Sequence, residues 1–202
     1  MTSSKLIWQG GGLASIVAGL LLLVGHVVNL GGHPEYGRVL GEILVLVAHL
    51  ALIFALVALY AAQAERSGLL GALGMILSVV GTTIVCGVVL VEIAGASGAN
   101  VAAVLEAGAS GIISLLGGLA FLIGLILFGI ATMWAGVFPR WAGVLVIVGD
   151  VVFGTGSFAG AAAPTISVVG AAITCAGFVW LGLSLLSGPR SDASTGQPAR
   201  VR

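Results

Sequence analysis

Long uninterrupted apolar runs constrain this chain more than any other feature. Six runs of about 20 residues predict helices that can cross the roughly 30 Å hydrocarbon core of a bilayer. They cover residues 13–30, 39–62, 69–93, 112–135, 141–159 and 164–187. The runs are continuous, whereas a barrel strand alternates apolar and polar residues over about 10 positions. A helix also satisfies its backbone hydrogen bonds within its own segment, as lipid requires. The sequence therefore predicts an all-α, polytopic membrane bundle of six transmembrane helices.

The charge content excludes the soluble alternatives. Of 202 residues, 7% are charged and 59% are hydrophobic, whereas a soluble domain carries about 25% charged residues. The net charge is zero, and nucleic-acid binding, which needs a basic patch, is not expected. Two cysteines are too few for a disulfide-built secreted domain. The expected partner is the lipid bilayer.

The spans leave room for one membrane domain, residues 1–187. The remaining stretch, 188–202, is polar and rich in Gly, Pro and Ser, and it is predicted to be a disordered cytoplasmic tail. The first run is longer than the 7–15 apolar residues typical of a signal peptide, so we expect it to be retained. Residues 100–107 are predicted to form a short interfacial helix with Asn100 as its N-cap.

The distribution of basic residues predicts the orientation, because short cytoplasmic loops are enriched in Lys and Arg. With six spans, Arg38 falls alone on one side. The other side carries Lys5, Arg66, Arg140, Arg190, Arg200 and Arg202. Both termini are therefore predicted to be cytoplasmic (N-in, C-in). Trp134 and Trp141 then lie at the cytoplasmic interface, where aromatic belts are typical.

Polar side chains inside the runs are the candidates for function, because an ionisable group in a bilayer costs a few kcal/mol. The candidates are His26, Asn29, Glu42, His49, Glu92 and Asp150. At 1.5 Å per residue, the first His and the two Glu residues lie in a shallow outer layer. The second His and the Asp lie about 15 Å deep. The pattern predicts a polar funnel entered from outside.

Helical spacing supports this funnel, although each residue also has a structural interpretation. His26 and Asn29 share a face of the first span, and Glu42 and His49 share a face of the second. Glu42 is equally well placed for an ordinary helix pair with Arg38. The deep residues are equally compatible with a structural role as interhelical hydrogen-bonding groups. Three residues near the outer surface are compatible with simple hydration in the headgroup region: the candidate Glu92 and the loop residues His33 and Glu35.

Three functions are compatible with these residues. The first is a small transporter-like or proton- or cation-handling protein with an outward-facing polar site, since buried carboxylates and histidines relay protons. The second is a subunit or scaffold of a membrane complex, whose polar residues only fix helix register. The third is a metal- or haem-binding redox protein, with His26, Glu42 and Glu92 as metal ligands.

The sequence gives less support to haem binding and to enzymatic activity. His26 and His49 differ in depth by about 9 Å, which argues against a haem held by both. The cofactor stays unknown. The sequence has no nucleophile elbow, phosphate loop or dinucleotide fingerprint, so an enzyme is not the favoured interpretation.

Small residues at four-residue spacing occur at Gly37 and Gly41 and again at Gly156 and Gly160. Such pairs allow close helix approach. They predict packing within the chain first, and a homo-oligomer or a complex with a membrane partner second.

Three short segments resemble those of small six-span integral membrane proteins of bacteria. They are Gly25-His26 with Asn29, Ala64-Glu65-Arg66, and the run from Phe138 to Gly143, Phe-Pro-Arg-Trp-Ala-Gly. The resemblance extends over the whole chain. It implies a multi-pass protein of the bacterial inner (plasma) membrane, and it brings no activity or site residue with it.

Overall fold

The computed structural model describes residues 3–33, 36–106, 108–156 and 158–188. The helices are α1 (Ser3–Asn29), α2 (Val39–Ala96), α3 (Ala102–Glu106), α4 (Gly108–Ala135), α5 (Arg140–Gly156) and α6 (Ala163–Leu186), with a 3₁₀ turn at Gly160–Ala162. The described ranges contain no strand, only an isolated bridge between His33 and Gly37. The predicted all-α class is confirmed. Except for Gly188, the predicted tail, 188–202, lies outside the described residues.

Helix α2 is a hairpin of two helical limbs, which we call the first limb (39–67) and the second limb (69–96). Gly68 separates them with φ 54° and ψ −147°, a positive-φ conformation that glycine adopts without steric cost. In a straight helix Tyr60 and Gly71 would be about 16 Å apart. Here a side chain on Gly71 would lie 3.6 Å from the Tyr60 ring. The chain therefore reverses at Gly68, between the predicted second and third spans.

Long apolar helices mark a membrane-embedded protein. Within the described residues, four are long and apolar enough to cross a bilayer: Ile7–Asn29, Val39–Ala96, Gly108–Ala135 and Gly160–Leu186. The second of these is the hairpin, and α5, at 17 residues, is shorter than the rest. Large apolar side chains such as Phe54 and Leu69 are exposed on the outer surface. Soluble proteins rarely expose large contiguous apolar patches, so this surface is compatible with contact to lipid.

The helices pack around a ring. α1 packs against α2 and α6, α6 against α1 and α5, α5 against α6 and α4, and α4 against α2. Connections after α1, after α2 and after α5 lie together at one end of the ring, which we call the mouth end. The turn at Gly68 and the connection from α4 to α5 lie at the opposite end, the turn end.

Small residues bring neighbouring helices into close contact. A Cβ on Gly25 of α1 would lie 3.0 Å from the carbonyl oxygen of Gly41 in the first limb. A Cβ on Gly156 would lie 3.0 Å from Ser167 Oγ of α6. Both predicted small-residue pairs thus contribute a glycine to packing within the chain. The structure does not show an oligomer.

The short predicted helix is present as α3. It begins at Ala102, and the amides of Val104 and Leu105 both donate to the carbonyl of Val101. The residue before the helix is therefore Val101, and the prediction of Asn100 as the N-cap is wrong by one position.

Apolar side chains fill the turn-end half of the ring. Phe128, Leu125 and Phe178 are fully buried there, together with Leu56 and Leu59 of the first limb. These side chains belong to one hydrophobic core cluster. The interior of the mouth-end half is different, and it contains the candidate site.

Candidate functional site

All six predicted polar residues line a single cavity in the mouth-end half. Its volume is about 650 Å³. The six are His26, Asn29, Glu42, His49, Glu92 and Asp150. They come from α1, both limbs of α2 and α5, so the ring brings together groups that are far apart in sequence. His33, predicted to be a headgroup residue, also lines the cavity. Glu35 lies outside the described residues.

Asn29 organises the cavity mouth. Its Nδ2 donates to Glu42 Oε1 at 2.6 Å, and its Oδ1 accepts the backbone N–H of Arg38 at 2.8 Å. The Arg38 guanidinium donates instead to the carbonyl of Gly31 at 3.2 Å. Arg38 and Glu42 therefore do not form the helix pair that was the alternative interpretation. The side-chain amide of Asn29 links the end of α1 to the start of α2.

Glu42 and Glu92 lie next to each other across the hairpin, and both line the cavity. The first stands at the beginning of the first limb and the second near the end of the second limb. Two neighbouring carboxyl groups repel each other when both are ionised, so a proton or another cation between them is favourable.

His26 lies deeper on α1 and is fixed by an aromatic ring of α5. Its imidazole meets Phe153 edge to face, with 4.9 Å between ring centroids and 62° between planes. Its Nε2 is buried and has no hydrogen-bond partner among the described residues. An unpartnered buried nitrogen of this kind is available to a ligand or to water.

His49 is oriented by its own helix. Its Nδ1 lies 2.8 Å from the carbonyl oxygen of Val45, and since a carbonyl only accepts, Nδ1 carries the hydrogen. In the neutral ring Nε2 is then the acceptor. The ring packs against Phe121 of α4 with centroids 5.6 Å apart. His49 is therefore a buried acceptor with a fixed tautomer.

Asp150 is the most deeply enclosed carboxyl group of the site. It is 3% exposed, and its Oδ2 has no hydrogen-bond partner among the described residues. Its neighbour Gly149 packs directly against Thr174 of α6, which leaves Asp150 on the cavity-lining side of α5. The sequence predicted equal distances to both ends of the span. Because α5 ends at Gly156, Asp150 stands six residues before its end and ten after its start at Arg140.

The rest of the cavity wall is apolar. Valines of the second limb, leucines of α4 and aromatic rings contribute it, including Val89, Leu119, Leu122, Phe121 and Phe153. No Lys or Arg within the described ranges lines the cavity. The site is thus an apolar chamber with three carboxyl groups. Because no Lys or Arg of the described residues lines it, the chamber disfavours anions.

The structure does not assemble the predicted metal site. In the part of the chain that the structure describes, no three His, Cys, Asp or Glu side chains are grouped so that they could hold a metal ion. His26, Glu42 and Glu92 line the same cavity but are not such a group. Cys86 and Cys175 are free thiols in the described chain.

Sequence reasoning missed a polar pair in the turn-end half. Gln63 is almost fully buried, and its Nε2 donates to Thr132 Oγ1 of α4 at 3.0 Å. Gln63 follows Leu56 and Leu59 at helical spacing, and this spacing is the sequence feature that places Gln63 on the same buried face. Thr82 and Ser78 of the second limb are also buried, without hydrogen-bond partners for their hydroxyl groups among the described residues. These groups are isolated within the apolar core.

No protein-family model, curated protein or solved structure matches the chain. The function must therefore be argued from the cavity itself.

Proposed function

We propose that the protein is a small transporter-like membrane protein that takes up a proton or another cation in an outward-facing polar site. The observation that carries the proposal is the convergence of Glu42, Glu92 and Asp150 on one cavity without a lining Lys or Arg within the described residues. Intramembrane carboxyl groups are costly, and they typically mark ion or proton paths. His26 and His49 add imidazole nitrogen atoms, which can accept protons.

The proposal includes a topology of six membrane crossings with both termini cytoplasmic, in the bacterial inner membrane. It is supported by the positions of Arg66 and Arg140, which both lie at the turn end, whereas Arg38 lies at the mouth end. Exposed Trp134 and Trp141 also lie at the turn end, as in an interfacial belt. The 17 residues of α5 are at the short limit for a crossing helix. In this topology the mouth end faces outward.

Transport requires the turn-end half to rearrange. The packed side chains of Leu56, Leu125 and Phe128 close the path below the cavity. In this proposal the packed arrangement is the state open to the outside, and release to the cytoplasm needs a second arrangement of the same helices.

A scaffold without transport activity is the second candidate. It is favoured by the contacts that link helices through the polar residues, namely Asn29 with Glu42 and His26 with Phe153. Such contacts fix helix register regardless of any transport. A homo-oligomer or a partner protein in a membrane complex would belong to this alternative.

Flux in proteoliposomes separates the two functions. We expect the wild-type protein to pass protons or a monovalent cation down a gradient, and Asp150→Asn and His49→Ala to reduce that flux strongly. Glu65→Gln is the matched control, because Glu65 is exposed at the turn end, outside the cavity. If the wild type gives no flux, and the cavity substitutions only lower thermal stability, the scaffold is the correct function.

A further inference from the structure

We infer that the cation taken up by this cavity is a lipophilic organic cation, which enters from the membrane between the mouth-end halves of α4 and α5. This inference rests on the proposed function and specifies its ligand. It follows from three features of the chamber: its charge, its apolar wall and a gap in the ring.

The charge of the chamber selects the sign of the ligand. Asp150 is only 3% exposed, and its Oδ2 has no hydrogen-bond partner among the described residues. A buried carboxyl oxygen without a partner is unfavourable and is satisfied by a positive or hydrogen-bonding ligand group. Glu42 and Glu92 place two more carboxyl groups on the same chamber. A positive centre is therefore the matching ligand group.

The apolar wall selects the body of the ligand. The leucine, valine and phenylalanine side chains of this wall carry no oxygen atoms. In the described chain, no three His, Cys, Asp or Glu side chains are grouped so that they could hold a metal ion. A small hydrated metal ion would find too few ligands to replace its water. The aromatic faces of Phe121 and Phe153 instead suit an onium centre through cation–π attraction. The volume of about 650 Å³ lies within the range of pockets for drug-sized molecules.

The gap in the ring supplies a route from the membrane. At the turn end α4 and α5 are in close contact, since a Cβ on Gly143 would lie 2.7 Å from the carbonyl oxygen of Gly129. Toward the mouth end the contact thins, because a Cβ on Gly154 of α5 would lie 3.3 Å from the Leu122 side chain of α4, whereas a Cβ on Gly118, about one turn closer to the mouth, would have no atom within 4 Å. Leu115 and Leu119 line the cavity there although they are 63% and 44% exposed. Side chains that face both the cavity and the outer surface mark a lateral opening.

Tetraphenylphosphonium and tetraphenylborate are matched probes for this inference, because they share one shape and carry opposite charge. Saturable binding is measured to the full-length protein in lipid nanodiscs, with binding to protein-free nanodiscs subtracted. We expect saturable binding of the phosphonium and none of the borate. Asp150→Asn and Glu92→Gln should each weaken binding about tenfold, the effect of losing about 1.4 kcal/mol of interaction.

The lateral route is tested with two glycine substitutions. Gly118→Leu places a side chain in the opening, and binding should weaken by about tenfold or more. Gly87→Leu is the control, since Gly87 is also an exposed helical glycine with no atom within 4 Å of an added Cβ, but it does not line the cavity. Equal effects of the two substitutions would overturn the route.

Several results bear on the ligand class independently of transport. Equal binding of the borate, or no saturable phosphonium binding by a protein that still passes protons, overturns the ligand class and leaves the proposed function standing. Phosphonium binding that depends on Asp150 but is accompanied by no flux supports the ligand class and removes transport from the proposed function.

Discussion

Glu42 and Glu92 lie next to each other in the cavity although they stand at opposite ends of α2. The pair joins the two free ends of the helical hairpin, whose turn is at Gly68. Both carboxyl groups also line the cavity. The same two side chains therefore take part in the packing of the hairpin and in the chemistry of the site.

A first prediction separates these two roles of the carboxyl pair. Glu92→Gln keeps a donor for the Glu42 carboxylate, so the hairpin should stay closed and the melting temperature should change little. Glu92→Leu removes the donor and leaves Glu42 with Asn29 as its bonding partner, which should cost about 1–3 kcal/mol. Thermal unfolding in detergent measures both. Identical melting of the two variants would show that the contact does not stabilise the hairpin.

A second prediction concerns the amide at the mouth. Asn29→Ala removes two hydrogen bonds and leaves a buried Glu42 oxygen with one partner fewer, which should destabilise by about 1–3 kcal/mol. Asn29→Asp should be worse, because it sets a second carboxylate against Glu42. Ser97→Ala is the control, since Ser97 Oγ bonds only to a carbonyl of the preceding helical turn. The expectation fails if the Asp variant is as stable as the wild type.

A third prediction contrasts two glycines of α4. A Cβ on Gly124 would collide with the backbone nitrogen of Ser78, so Gly124→Ala should push the helices apart at a cost of about 1–3 kcal/mol. Gly118 faces open space, so Gly118→Ala should be neutral or should gain up to about 1 kcal/mol of helix propensity. Chemical unfolding of both variants in mixed micelles tests the contrast. Similar values for the two would contradict the packing described here.

A fourth prediction is that binding of an organic cation weakens on acidification. The titratable groups that face the cavity come from α1, α2, α5 and the connection after α1, and none comes from the described residues of α4 or α6. They are His26, His33, Glu42, His49, Glu92 and Asp150. Protonation removes negative charge from a carboxylate and adds positive charge to an imidazole, so every step of acidification disfavours a cation.

The test of this pH dependence is phosphonium binding in mildly alkaline and mildly acidic buffers. The affinity should fall by about tenfold for each carboxylate neutralised. Asp150→Asn should have a shallower dependence than the wild type, because one titrating group is gone. Stronger binding in acid would contradict a cation site.

The helical architecture was predictable, because an apolar run long enough to span a bilayer has few other ways to satisfy its backbone. Each predicted span coincides with helix except at the C-terminal end of three of them, since α1 ends at Asn29, α5 at Gly156 and α6 at Leu186. The shared face of Glu42 and His49 was also visible in the spacing. The number of membrane crossings stays a prediction.

The partners across helices were not predictable. Periodicity fixes which residues share a face, but it does not fix how neighbouring helices rotate against each other. The meeting of Glu42 with Glu92, and of Gln63 with Thr132, depends on that rotation. Sequence reasoning also placed Asp150 midway along its span, since the end of α5 at Gly156 depends on how α5 meets α6.

The position of Asp150 has an electrical consequence. It stands six residues from the mouth-end terminus of the 17-residue α5, about a third of the helix length. In the proposed topology, in which α5 crosses the membrane and the mouth end faces outward, a monovalent cation that reaches it from outside crosses about a third of the membrane voltage, worth about 0.8 kcal/mol per 100 mV. A potential that is negative inside would draw such a cation toward Asp150. Occupancy of the site would then rise in an energised cell and fall when the membrane is depolarised.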